Sequence, residues 1–134
     1  MTLPALERTL TELDHVRLTR LLQRQAAHPA PIGELLDLAH VVPSRAVEPD
    51  VVTMYSQVLV SDADTGEQHK LTVCYPDDAE PSQGFVSVLS PVGAALLGQR
   101  TGALVTSHTP AGHRRPLRID AILFQPEATG DYVT

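Results

Sequence analysis

The chain has 134 residues, of which 43% are hydrophobic and 19% charged, and its formal net charge is -6. That composition supports one packed domain, or a small domain with an appendage, and argues against wholesale disorder. An acidic chain with three Tyr, two Phe and no Trp is poorly equipped for direct nucleic-acid binding, which needs a basic face and rings on which bases stack. No apolar run reaches the roughly 20 residues of a membrane span. The start, MTLPALERTL, lacks the basic-then-apolar pattern of a signal peptide. The lone Cys74 cannot form an internal disulfide. A cytoplasmic enzyme or protein-binding module is expected.

The first element is a helix over residues 11–26, with Thr11 as cap and Glu12 and Asp14 in the first turn, where negative charge suits the dipole. Leu18, Leu21 and Leu22 form one apolar stripe and Leu13 and Val16 another, which suits two neighbours, a second helix and the main body. His28-Pro29-Ala30-Pro31 breaks this helix. A second helix is expected over 32–42, with Ile32, Leu35, Leu36, Ala39 and Val42 on one face. The short connection predicts an antiparallel hairpin, followed by a linker from Pro43 to Pro49. The chain divides there, into residues 1–49 and 50–134.

The second part reads mostly as strands. Residues 51–61 and 70–75 form a hairpin around the Asp62–Gly66 turn. Residues 85–89 are a short strand after a polar loop. Residues 91–97 are a short helix, with Pro91 in its first turn and Gly98 past its end. Residues 103–107 and 117–124 make a final hairpin around Thr109-Pro110-Ala111-Gly112. The fold class is α+β, an antiparallel sheet with one short helix, preceded by a helical hairpin.

Few residues carry obvious chemistry. Glu34 and Asp37 are a carboxylate pair at i, i+3, suited to a divalent cation or to acid–base work, though a solvated pair near a helix start is the plainer reading. The six histidines make no H-x-x-x-H pattern, so no zinc signature exists; His108 and His113 flank a turn. Cys74 lies in an apolar strand with nothing nearby to activate it. Ser90-Pro91 lacks a nucleophile elbow, and Ser90 reads as a helix cap. No phosphate loop surrounds Gly93 or Gly98. His113, Arg114, Arg115 and Arg118 are a basic cluster, either a solvated hairpin end or the rim of a surface for an acidic partner. With no nucleophile, base and oxyanion donor assembled, a binding module is favoured over an enzyme.

Leu89 to Gly98 (LSPVGAALLG) resembles the S-P-[IV]-x-x-x-L-[IL]-G signature of the GreA/GreB transcription factor C-terminal domain, and Thr109–Gly112 resembles that family's T-P-x-G turn. Asp50–Ser56 and Gln125–Val133 narrow the likeness to one branch of Gre relatives. The resemblance implies an FKBP-like domain carrying a two-helix coiled-coil arm. It also implies binding to RNA polymerase, on the β′ subunit at the secondary-channel entrance. The docking residues it implies are Leu89, Ser90, Pro91, Val92 and Gly93, with Leu96 and Leu97 in the core. In Gre factors an acidic tip on a long arm holds a catalytic Mg²⁺. Here the arm is short and its tip, Gln25 to Pro31 around His28, has no carboxylate; Glu34 and Asp37 lie past the turn. The expectation is a monomeric, non-enzymatic regulator with no cofactor or metal, which competes with Gre-type factors without stimulating cleavage. The rivals are a cleavage factor using Glu34, Asp37 and Mg²⁺, and a peptidyl-prolyl isomerase, for which the aromatic supply is poor.

Overall fold

The computed structural model describes residues 8–24, 30–108 and 113–131. β1 (Thr9–Thr11) runs into α1 (Glu12–Gln23), and α2 (Ala30–Leu38) returns to β2 (His40–Val42). β1 and β2 pair in parallel, Thr9 opposite His40 and Thr11 opposite Val42, and so clip the base of the helical hairpin. Thr11 caps α1 as the sequence predicts, its Oγ1 accepting from the Asp14 N–H at 3.0 Å. The second helix is shorter than its apolar spacing predicts. It ends at Leu38, and the β-branched Val41 and Val42 extend instead because β1 offers them a ladder. His15 Nε2 lies 2.9 Å from the Leu36 carbonyl, a bond donated by the Nε2–H tautomer that ties α1 to α2.

The second part is a five-stranded sheet in the order β5-β4-β3-β7-β6. Its strands are β3 (Gln57–Asp62), β4 (Gln68–Cys74), β5 (Phe85–Ser87), β6 (Leu104–His108) and β7 (Arg114–Phe124). All pairs are antiparallel except β4 with β5, which run parallel, a departure from the all-antiparallel expectation. The strand expected from residue 51 begins only at Gln57. Before it, Ser56 Oγ accepts from the Thr53 N–H at 2.9 Å, and Tyr55 takes a left-handed φ of 65°, so residues 53–56 form a tight turn rather than a ladder. β7 starts at Arg114, before the expected Leu117. Residues 114–116 run past the end of β3, so Pro116 has only β6 beside it in the ladder and its missing N–H is tolerated.

α3 (Pro91–Leu96) packs against β4, β5 and β6 and buries Gly93, Ala94, Ala95 and Leu96. Its small residues permit close approach: a Cβ on Gly93 would stand 2.0 Å from the Ser87 carbonyl oxygen. At its far end the Arg8 guanidinium donates to the carbonyls of Ala94 and Leu97, at 2.6 and 3.0 Å, supplying the positive charge a helix C-terminus favours. Burial lowers the pKa of Arg8. Gly98, at φ 79°, then turns the chain.

One buried cluster joins both parts. Leu10, Leu18, Ile32, Leu35 and Leu36 from the hairpin share it with Val58, Val60, Val73, Leu96, Leu117 and Ile119. The hairpin is therefore laid on the body rather than held free of it. Of the two stripes expected on α1, the Leu18 side faces this core, while Val16 is 45% exposed. Among the described residues no helix is long and apolar enough to cross a membrane.

Candidate functional site

The turn between β5 and α3 is built by two serines. Ser87 Oγ accepts from the Leu89 N–H at 3.1 Å, and Ser90 donates to the Ser87 carbonyl through both its N–H, at 2.9 Å, and its hydroxyl, at 2.6 Å. Ser90 Oγ also accepts from the Gly93 N–H at 3.2 Å, the cap the sequence predicts. Pro91 at the first helical position adds fixed backbone geometry. The result is a rigid corner that exposes Pro91, half-exposes Leu89 and Val92, and buries Gly93 behind them. The corner carries no ionisable side chain. It presents shape and apolar surface, which suits docking against another macromolecule and not acid–base chemistry.

Other sequence candidates are dispersed. Glu34 and Asp37 are both exposed on α2, opposite its buried Ile32, Leu35 and Leu36. Among the described residues, no three His, Cys, Asp or Glu side chains are grouped as a metal site would need. The arm tip, with His28, lies outside the described residues, as does the Thr109–Gly112 turn. His108 is opposite Arg114 in the ladder, and His113 is exposed just before β7. The arginine cluster divides by strand alternation. Arg114 and Arg118 project exposed on one face. Arg115, on the other, has Nε 3.6 Å from Asp62 Oδ2 and Nη2 3.5 Å from His69 Nε2. The three arginines therefore do not share one face of β7. Cys74 is fully buried, its Sγ 3.5 Å from the Val86 carbonyl oxygen, and burial pushes the thiol pKa up, away from nucleophilic use.

The sequence concealed a polar latch. Asp14 is 2% exposed, and its Oδ2 accepts from the Met54 N–H at 3.2 Å. Burial pushes its carboxyl up to about 6, reinforced by the charge of Glu127 and opposed by that hydrogen bond, by Thr11 and by Arg17. Nearby, Thr53 Oγ1 donates to Glu127 Oε1 at 2.6 Å, and Gln125 Nε2 donates to the carbonyls of Glu48 and Val51, both at 2.8 Å. Residues 50–56 and 125–127, which narrow the resemblance, thus meet each other at the start of α1. In sequence Asp14 reads as a dipole-stabilising surface acid, and nothing local signals its burial. Tyr55, held by its hydroxyl donating to Asp78, packs against Tyr75 with ring centroids 5.8 Å apart. Burial, with the Asp78 hydrogen bond and charge, pushes Tyr55 up to about 12.

Comparison with known proteins gives this fold its class. Residues 47–124 match the family described as "Transcription elongation factor, GreA/GreB, C-term". The chain belongs to the GreA/GreB family. More particularly, it is 36% identical over 128 residues to the Regulator of nucleoside diphosphate kinase of Escherichia coli strain K12, spanning 92% of this chain and 94% of that protein. Transcription elongation factor GreA of Solidesulfovibrio magneticus is 49% identical over 55 residues, covering 41% of this chain but 34% of that factor. The solved structure of a prokaryotic transcription elongation factor GreA/GreB from Nitrosomonas europaea superposes with a TM-score of 0.74 at 33% identity, over 88% of this chain and 98% of that one. The likeness therefore extends along nearly all of the first and third of these chains, and only along part of the elongation factor.

Proposed function

We propose that the chain is a non-enzymatic regulator that binds RNA polymerase at the secondary-channel entrance, on the β′ subunit. It competes there with Gre-type factors and does not stimulate transcript cleavage. The observation that carries this reading is the Ser90 corner: the residues of the family signature build a rigid turn whose exposed apex is Pro91, with Leu89 and Val92 beside it. Residues 50–134 dock, and residues 1–49 modulate. The protein acts as a monomer in the cytoplasm, and an effect on nucleoside diphosphate kinase of the kind its relative's name describes runs through transcription.

The hairpin supports the second half of the reading. α1 has 12 residues and α2 has 9, about 18 and 14 Å of helix at the standard rise, and their buried side chains pack into the body. Glu34 and Asp37 sit exposed on α2 with no third carboxylate or histidine grouped with them among the described residues. A cleavage assay on backtracked polymerase complexes tests this. Neither the chain nor its Glu34→Ala/Asp37→Ala variant is expected to release a cleaved transcript. Cleavage by the natural chain that the double variant abolishes would establish the metal-delivering alternative instead.

A further inference from the structure

A cleft of about 710 Å³ opens between α1 and the segment after β4, within the size range of small-molecule sites. Arg17, Arg20 and Arg24 line its helical wall; Tyr75 and Asp77 line the other, with Leu21 contributing apolar surface. The arginines recur at i, i+3 and i+7, so they share one face of α1 over about 10 Å of its axis. In a chain of net charge -6 they are a local reversal of sign. Arginines elsewhere meet acceptors: Arg100 lies 3.1 Å from Glu48 and 2.8 Å from Asp50, and Arg8 donates to two helix carbonyls. Among the described residues, the Arg20 and Arg24 guanidinium groups have no ion pair or hydrogen bond, and both are exposed.

We propose that this cleft binds a nucleoside phosphate, its phosphates on the arginine wall and its base toward Tyr75 and Asp77. Guanidinium forks match phosphate oxygens, and repulsion between Arg20 and Arg24 on one helix face is relieved when a polyanion binds, while Arg17 adds positive charge from beside Asp14. The opposite wall selects against a bare phosphate chain. The exposed carboxylate of Asp77 would repel one, whereas it accepts hydrogen bonds from base N–H or sugar hydroxyl groups. The half-buried Tyr75 ring, steadied by Tyr55, is surface that a base can cover and a phosphate chain cannot.

Calorimetric titration of the full chain with ATP, GTP and inorganic tripolyphosphate tests the assignment. At least one nucleotide is expected to saturate a single site and to bind about tenfold or more tighter than tripolyphosphate. Arg20→Ala/Arg24→Ala is expected to weaken that binding by about tenfold or more without lowering the unliganded melting temperature, since both side chains are exposed. Asp77→Asn is expected to strengthen tripolyphosphate binding. No saturable binding of either nucleotide, equal binding by the double variant, or tripolyphosphate binding as tightly as both nucleotides would each overturn the proposal. So would a short single-stranded RNA binding the cleft more tightly than either nucleotide.

Discussion

Asp14 ties the hairpin to the body at a cost that depends on pH. Its carboxyl titrates near the ordinary 3.8 when unfolded and at about 6 when folded. Between those values the folded state keeps a proton that the unfolded state has released, so stability falls as pH rises from about 4 to 6, and the full cost persists above 6. Asp14→Asn keeps an oxygen for the Met54 N–H and removes the charge. The variant is expected to be more stable than the natural chain at pH 7.5, by on the order of 1–3 kcal/mol, and to lose most of that advantage at pH 4.5. Urea unfolding of both chains at both pH values measures the difference; an advantage of the variant no larger at pH 7.5 than at pH 4.5 would show that Asp14 does not carry this cost. Gly93 presents the opposite case, because its necessity is steric. With Ser87 O 2.0 Å from the position of a Cβ, Gly93→Ala must displace α3 from β5 and is expected to cost about 3 kcal/mol or more, seen as a lowered melting temperature. Gly93 stands out in sequence through the signature around it. Asp14 does not, because burial comes from segments 40 and more residues away.

The helical hairpin and the Ser90 corner differ in what holds them. α1 and α2 are too short to be stable alone, and their order comes from the clip of β1 against β2 and from leucines in the shared core. Leu18→Ala is expected to destabilise by about 2–5 kcal/mol. It should do so as one cooperative transition seen equally by helix and sheet probes; separate transitions would show that the hairpin folds independently. The corner depends on local bonds, so Ser90→Ala, which removes the cap on Gly93 and the bond to Ser87, is expected to cost about 1 kcal/mol in the same unfolding measurement. Apolar spacing made both long helices legible, Pro91 and Gly98 bracketed α3, and β-branched runs between turn residues marked most strands. Such local signals failed where pairing is non-local: Val41 and Val42 fit a helix until β1, some 30 residues earlier, offers them a ladder. Residues 51–56 look like a strand by composition, but their side chains bond within the segment and to Glu127, which bends the backbone at Tyr55.

Taken together, the fold is a compact α+β body with one rigid apolar corner at Pro91 and one arginine-lined cleft along α1. The first was legible because it lies within ten contiguous residues. The second was not, since the arginines of α1 acquire a facing wall only when Tyr75 and Asp77 are folded against them. The Arg114–Arg118 cluster shows the reverse error, adjacency in sequence being split by strand alternation onto two faces. The proposed regulation depends first on Pro91 and its neighbours docking on RNA polymerase. Its most direct test is a pull-down of core RNA polymerase with the natural chain and with Pro91→Asn, each repeated with excess GreA as competitor. Because Pro91 is exposed at the start of α3, the variant should keep its fold, and its melting curve checks that. Polymerase is expected to be retained by the natural chain, displaced by GreA and lost in the variant. Retention unchanged in the folded variant, or no retention by the natural chain, would contradict this docking.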